Sequence, residues 1–81
     1  MVDFFATWCS PCKMLAPTIE EIANETTITV AKCDIDESED LAREYHVMSV
    51  PTVVIFKDGA EVQRFVGVRE KDELINALRN A

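Results

Sequence analysis

Two of the three cysteines in this 81-residue chain, Cys9 and Cys12, stand with two residues between them, and Cys33 lies apart from both. Three cysteines are too few, and odd in number, for the disulfide framework of a small secreted domain. A Cys-x-x-Cys pair can instead supply half of a zinc site, or it can cycle between a dithiol and a disulfide. In such a cycle one sulfur attacks a substrate disulfide and the other resolves the mixed disulfide.

The residues on either side of the pair predict a strand that leads into a helix. Residues 2–6 form a short apolar run rich in strand formers, with Asp3 as its one charged side chain. From Cys12 onward apolar residues recur at helical spacing, and Pro11 suits a first helical turn. Cys9 is then expected at an exposed helix N-terminus, where free backbone N–H groups stabilise a thiolate, with Cys12 more buried one turn later. We therefore predict that Cys9 is the nucleophile.

The rest of the chain alternates between strand and helix patterns. These patterns predict, in order, a strand over 26–33, a short helix that ends near 46, strands over 52–56 and 61–66, and a helix over 70–80. Asp58 and Gly59, between the last two strands, are a strong hairpin signal. The order predicts one α/β domain over residues 1–81, with a four-stranded mixed sheet (β-α-β-α-β-β-α) and helices on both faces.

The composition limits the partners of this domain. Hydrophobic residues make up 48% of the chain and charged residues 28%, which is typical of a domain with one core. The net charge of −7 repels phosphate backbones and anionic lipid headgroups. No apolar run approaches the roughly 18 residues of a membrane span. We therefore expect neither nucleic acid nor a membrane as a partner, and no targeting signal is evident in the sequence.

Several separated motifs resemble those of the thioredoxin family, in the same order over nearly the whole chain. They are residues 2–13 (VDFFATWCSPCK), Lys32 with 34–36 (DID), 49–52 (SVPT), 56–59 (FKDG) and 66–67 (VG). The resemblance implies the thioredoxin-like fold and the reduction of protein disulfides through a Cys9/Cys12 cycle, without a bound cofactor or metal. It also implies electron transfer from an NADPH-dependent thioredoxin reductase and a cytoplasmic location.

The same resemblance implies roles for single residues. Asp3 is similar to the family's buried carboxylate, which assists proton transfer to and from Cys12, and Lys32 is similar to the lysine beside it. Pro51 is similar to the family's cis-proline, and Val50 to the residue whose backbone pairs with substrate. The expected docking surface consists of Trp8, Val50, Pro51 and Gly67, and the expected supporting residues are Ser10, Pro11 and Lys32. Ser10 stands where the commonest family motif has glycine, and such changes alter the redox potential.

The start of the sequence bears on the edge of the predicted sheet. Typical members of the family carry a further strand and helix before the strand that holds Asp3, whereas this sequence begins on that strand. The strand between Thr27 and Cys33 is then expected to be a sheet edge, with Lys32 as the only charged side chain that disfavours pairing with another strand. An edge with unpaired backbone groups is a template for another chain. We therefore expect a monomer of marginal stability, or self-association through this edge.

Two other classes of function remain open from the sequence. Cys9, Cys12, Cys33 and His46 match the ligand number of a zinc-binding structural module, although two of them come from remote elements. The chain is alternatively a non-catalytic protein-interaction module on the same fold. Taken singly, Cys33 is expected to fill the core as a small apolar residue, and His46 to be a cation near a helix C-terminus. A zinc assay and an insulin-reduction assay discriminate among these classes.

Overall fold

The computed structural model describes all 81 residues, and its helices and strands follow the predicted order. They are β1 (Val2–Phe5), α1 (Ser10–Glu25), β2 (Ala31–Asp34), α2 (Glu39–Glu44), β3 (Thr52–Lys57), β4 (Ala60–Val66) and α3 (Lys71–Arg79). The strands form one four-stranded mixed sheet, which confirms the predicted fold class. None of the three helices has both the length and the apolarity needed to cross a membrane.

The sheet has the strand order β2-β1-β3-β4, so β1 lies inside it and β2 and β4 form its edges. β1 is parallel to β2 and antiparallel to β3, and β3 and β4 are an antiparallel hairpin. The hairpin turn places Asp58 at φ 53° and Gly59 at φ 83°. Two residues with positive φ suit the twist of a tight hairpin, which explains the strength of the Asp-Gly signal. The inner position of β1 buries Asp3 and directs the following loop toward α1.

Apolar side chains cover both faces of the sheet. On one face the buried cluster joins α1 and α3 to the strands, and it contains Met1, Leu15, Ile19, Ile22, Val53, Ile55, Phe65, Leu74 and Ala77. On the other face Phe4, Cys33 and Val54 pack with Tyr45 and Val47, which follow α2. Cys33 is therefore a core residue, as the sequence predicted.

The second strand is shorter than the sequence predicted. A strand over 26–33 was expected, but β2 begins at Ala31 and ends at Asp34. β1 begins at Val2, whose register partner is Ala31, so residues 27–30 have no strand ladder with β1, although the Met1 ammonium donates to the Thr29 carbonyl at 3.0 Å. Thr26 also favours a local turn, because its hydroxyl accepts a hydrogen bond from the Ile28 N–H at 3.3 Å. The prediction of an edge strand from Thr27 is wrong for residues 27–30, and the edge consists of β2 alone.

Candidate active site

The two closely spaced cysteines lie where the loop after β1 enters α1. Cys9 is the N-cap of the helix, with the extended dihedrals φ −92° and ψ 110°, and its Sγ accepts a hydrogen bond from the Cys12 N–H at 3.2 Å. Pro11 occupies the first helical turn, where a missing N–H leaves no helical hydrogen bond unmade. Cys9 and Cys12 are joined as a disulfide, with their Cα atoms 5.2 Å apart. The sequence therefore places one sulfur at a helix N-terminus and binds it to the other.

Both sulfur-bearing residues are covered in this disulfide form. Cys9 is 4% exposed and Cys12 is 5% exposed, so the expectation of an exposed Cys9 beside a more buried Cys12 is wrong for this form. The two residues differ in what they face. Cys9 Sγ lies 3.7 Å from the Val50 carbonyl oxygen. This is a van der Waals contact and not a hydrogen bond, because a disulfide sulfur carries no hydrogen. Cys12 lines a cleft that does not include Val50.

The cleft beside Cys12 has a volume of about 310 Å³. Its lining consists of Asp3, Phe5, Ala6, Thr7, Cys12, Lys13, Ala16 and Lys32. The structure thus brings together three residues that the resemblance linked: the second cysteine, the carboxylate and the lysine. Among the lining residues, Lys13 and Lys32 are exposed to solvent, whereas Asp3 is buried.

Asp3 is a buried carboxyl group with an incomplete set of hydrogen bonds. The residue is 3% exposed, and its Oδ1 atom is buried without any hydrogen-bond partner. Burial raises the pKa of Asp3, and the positive charge of Lys32 lowers it by a smaller amount. The Lys32 ammonium itself lies 5.9 Å from the centre of the Phe5 ring. A carboxyl group with a raised pKa is a stronger base than an ordinary one, and this carboxyl group lines the same cleft as Cys12.

The segment before β3 approaches Cys9 from the opposite side. The Val50–Pro51 peptide bond is cis. The Pro51 carbonyl accepts a hydrogen bond from the Gly67 N–H at 2.9 Å, and the Thr52 hydroxyl donates to the Ser49 carbonyl at 2.7 Å. These bonds hold the Val50 carbonyl against Cys9 and bring Gly67, from the end of β4, to the same side of the site.

Trp8 lies on the exposed rim of the site. Its side chain is 66% exposed, and its indole N–H donates to Asp36 Oδ2 at 2.8 Å. The Asp36 backbone N–H in turn donates to Asp34 Oδ1 at 2.9 Å. The sequence did not indicate Asp36 as a site residue, although it belongs to one of the motifs that resemble the family. Ser10 is exposed at the first residue of α1.

The four residues of the zinc alternative do not come together. Cys33 packs against Phe4 and Val54 on the α2 face of the sheet, and His46 follows α2 at a positive φ of 55°. No group of three or more His, Cys, Asp or Glu side chains has a geometry that could hold a metal ion. The structure therefore gives no support to the zinc-binding alternative.

Comparison with known proteins gives the family. The family model for thioredoxin matches residues 1–80. The thioredoxin of Mycobacterium tuberculosis is 52% identical over 80 residues, which are 96% of this chain and 69% of that protein. The bifunctional thioredoxin reductase/thioredoxin of Mycobacterium leprae is 50% identical over 80 residues, which are 18% of its length.

The fold gives the same result. A mutant thioredoxin from Halobacterium salinarum superposes with a TM-score of 0.94 at 44% identity, and the match covers 98% of this chain and 70% of that one. This chain is half identical to a thioredoxin over nearly its whole length, and it carries a Cys-x-x-Cys disulfide on the same fold. It belongs to the thioredoxin family of thiol–disulfide oxidoreductases.

Proposed function

We propose that this chain reduces the disulfide bonds of protein substrates, with Cys9 as the nucleophile and Cys12 as the resolving cysteine. The observation that carries the proposal is the disulfide between Cys9 and Cys12, with Cys9 as the N-cap of α1. Once this disulfide is reduced, the Cys12 N–H and the N-terminus of α1 stabilise a thiolate at Cys9. Cys12 Sγ accepts no such hydrogen bond from a backbone N–H.

The cycle has two exchange steps. In the first, the Cys9 thiolate attacks one sulfur of the substrate disulfide; a Cys9–substrate bond forms, the substrate S–S bond breaks, and the second substrate sulfur leaves as a thiolate. In the second, the Cys12 thiolate attacks Cys9 Sγ and releases the first substrate sulfur. The Cys9–Cys12 disulfide closes, and two electrons have passed to the substrate, whose thiolates take up protons.

Asp3 is the proposed proton acceptor for Cys12. The Cys12 thiol must lose its proton before the second step, and both side chains line the same cleft. The Oδ1 atom of Asp3 accepts no hydrogen bond within the chain, so it is free to accept the proton. Its raised pKa makes the carboxylate a stronger base than an exposed aspartate. Lys32 supports this role because its charge lowers the pKa of Asp3 and so favours the ionised carboxylate that accepts the proton.

Protein substrates are proposed to dock on Trp8, Val50, Pro51 and Gly67. The Val50 N–H donates to no group within the chain, and no backbone N–H donates to the Val50 carbonyl, which lies 3.7 Å from Cys9 Sγ. Both groups can pair with an extended substrate segment, which brings a substrate disulfide to Cys9. The exposed Trp8 ring offers an apolar contact beside it. Ser10 and Pro11 complete the turn between the two sulfurs.

The oxidised chain must be reduced again by an electron donor. We propose an NADPH-dependent thioredoxin reductase, because a relative at 50% identity is a bifunctional thioredoxin reductase/thioredoxin. A reductase as donor and the free Cys33 thiol both suit a reducing compartment, and we place the activity in the cytoplasm on this ground. A second copy of the chain is a further proposed partner, through the edge strand β2.

Reduction of insulin by dithiothreitol, measured with and without the chain, tests the proposed function. We expect turnover with the unsubstituted chain and its loss in Cys9→Ser and in Cys12→Ser. Cys33→Ala is the matched control, because Cys33 lies in the core on the α2 face and is expected to leave turnover intact. A non-catalytic interaction module predicts no turnover above that of dithiothreitol alone, and this result with the unsubstituted chain would overturn the proposal.

A further inference from the structure

The strand β4 and the residue after it hold both ends of the segment that carries Val50 and Pro51. At the C-terminal end of this segment, the Gly67 N–H donates to the Pro51 carbonyl at 2.9 Å. At the other end, the Arg64 side chain donates from Nη2 to the Tyr45 carbonyl at 2.6 Å and from Nη1 to the His46 carbonyl at 3.3 Å. The path of residues 45–51 is therefore bound to β4 at its start and at its finish.

The two carbonyls that Arg64 binds are otherwise unpaired. Tyr45 is the C-cap of α2, and His46 turns the chain away from the helix with a φ of 55°. No backbone N–H in the loops and turns donates to either carbonyl. Carbonyls at a helix C-terminus carry partial negative charge and lack helical partners. A guanidinium is well matched to them because it donates to both at once.

Glu61 fixes the orientation of this guanidinium. Arg64 Nε donates to Glu61 Oε2 at 2.9 Å, and Nη2 donates to Glu61 Oε1 at 2.8 Å. The pair is bidentate and lies along β4, where Arg64 is the register partner of the buried Val54. Two parallel hydrogen bonds to one carboxylate hold the guanidinium plane, so its remaining N–H groups point at the end of α2.

We propose that Arg64, oriented by Glu61, is a positioning residue that sets the path of residues 45–51 and so places the Val50 backbone for protein substrates. This inference rests on the proposed function, in which substrate pairs with Val50. Arg64 does not touch the sulfurs. It is therefore expected to affect substrates that need this pairing and to leave unaffected a small disulfide that reaches Cys9 without it.

The variant Arg64→Met tests the proposal, because methionine keeps an apolar stem and removes all donors. We expect the KM for insulin to rise about three- to tenfold with little change in kcat, since only part of the free energy of hydrogen bonds to a charged group is passed on to binding. The rate with the small disulfide dithiobis(nitrobenzoic acid) is expected to stay the same. Arg43→Met is the matched control: it removes the same charge from α2, where the Arg43 side chain is 76% exposed and pairs only with Asp40.

Two further measurements keep the test decisive. Arg64→Lys restores the charge but not the forked donors and is expected to recover only part of the affinity for insulin. The Val47 N–H, which donates to the Ala42 carbonyl at 2.9 Å, is expected to exchange faster with deuterium in Arg64→Met than in Arg43→Met. This exchange is measured on the folded chain and does not need activity.

Three outcomes would overturn the inference. They are equal insulin KM values in Arg64→Met and Arg43→Met, an equal loss of rate with insulin and with the small disulfide, and equal exchange at Val47 in both variants. Failure of the proposed function looks different, because the unsubstituted chain would then not reduce insulin at all. In that case the exchange measurement still decides whether Arg64 holds residues 45–51.

Discussion

Asp3 and Lys32 face each other across the parallel strands β1 and β2, and only one of the two charges is buried. The Asp3 carboxyl is 3% exposed, whereas Lys32 is exposed to solvent. Burial raises the pKa of Asp3 more than the lysine lowers it. The folded chain therefore holds this proton at pH values at which the unfolded chain has released it. As pH rises from the ordinary carboxyl pKa of about 4 to the raised pKa of Asp3, the free energy of unfolding therefore falls.

Asp3→Ala is expected to stabilise the protein, and increasingly so at higher pH. The unsubstituted chain loses stability as pH rises from about 4 through the raised pKa of Asp3, and the variant does not. Above this window we expect the variant to gain about 1–3 kcal/mol in the free energy of unfolding. Urea unfolding of the oxidised proteins across this pH range measures the difference. Glu20→Ala, which removes an exposed carboxylate from α1, is the control for net charge.

A destabilised Asp3→Ala variant at every pH would contradict this prediction. It would mean that the carboxyl group is stabilised by interactions that offset its burial. A gain of the same size in Glu20→Ala would instead assign the effect to the net charge of −7.

The same Asp3→Ala variant is expected to resolve mixed disulfides more slowly. Without the carboxylate, the Cys12 proton must pass to solvent, and a lost general base typically slows a proton-coupled step about 100-fold or more. The slowing is expected to shrink as pH rises, because the thiol then ionises without help. Single-turnover reactions quenched with acid would show the Cys9–substrate disulfide accumulating. An unchanged rate of resolution at neutral pH would make Asp3 a structural residue only.

Cys9 is expected to be the one cysteine that is rapidly alkylated in the reduced protein near pH 7. The reason is its N-cap position, where the Cys12 N–H stabilises the thiolate. Solvent exposure is not the reason, since Cys9 and Cys12 are equally covered in the disulfide form. Iodoacetamide labelling followed by peptide mass mapping measures the order of reaction. Cys9→Ser is expected to abolish the fast phase. Fast labelling of Cys33 or Cys12 in the unsubstituted chain would refute the choice of nucleophile.

Local sequence patterns predicted most of the elements because those patterns are set by neighbouring residues. Leu15, Ile19 and Ile22 recur at helical spacing, and all three are buried on one face of α1. Asp58 and Gly59 likewise predicted the hairpin, because the turn needs their positive φ values. The cysteine spacing and the entry into α1 then placed the disulfide correctly.

Contacts between remote residues could not be predicted in this way. The bonds from Trp8 to Asp36 and from Arg64 to Tyr45 join residues far apart in the chain, and no periodicity marks such partners. The cover over Cys9 comes from the Val50 segment, which also depends on tertiary packing. The length of β2 follows from its register with β1, which a strand pattern alone does not contain.

The outward side of β2 determines how a second copy can pair with this chain. The Ala31 N–H donates to Met1 and the Ile35 N–H donates to Phe5, both at 2.9 Å, so these groups face β1. Because backbone groups alternate along a strand, the N–H of Lys32 points away from the sheet. This N–H lies at the edge that the strand order leaves unpaired. A partner strand that binds at this point of the edge accepts a hydrogen bond from it.

We therefore expect the melting temperature of the chain to rise with its concentration, and Lys32→Pro to remove this rise. For a fully dimeric protein, each tenfold in concentration adds about 1.4 kcal/mol per dimer, or about 0.7 kcal/mol per protomer, which corresponds to about 3–6 °C for a domain of this size. Proline removes the outward N–H of residue 32 without breaking the ladder to β1. Lys32→Ala is the matched control, because it removes the charge and keeps the N–H. Thermal melts and sedimentation over a hundredfold range would measure both effects. A monomer whose melting temperature does not depend on concentration, or a Lys32→Pro variant that associates as Lys32→Ala does, would show that β2 is not the contact.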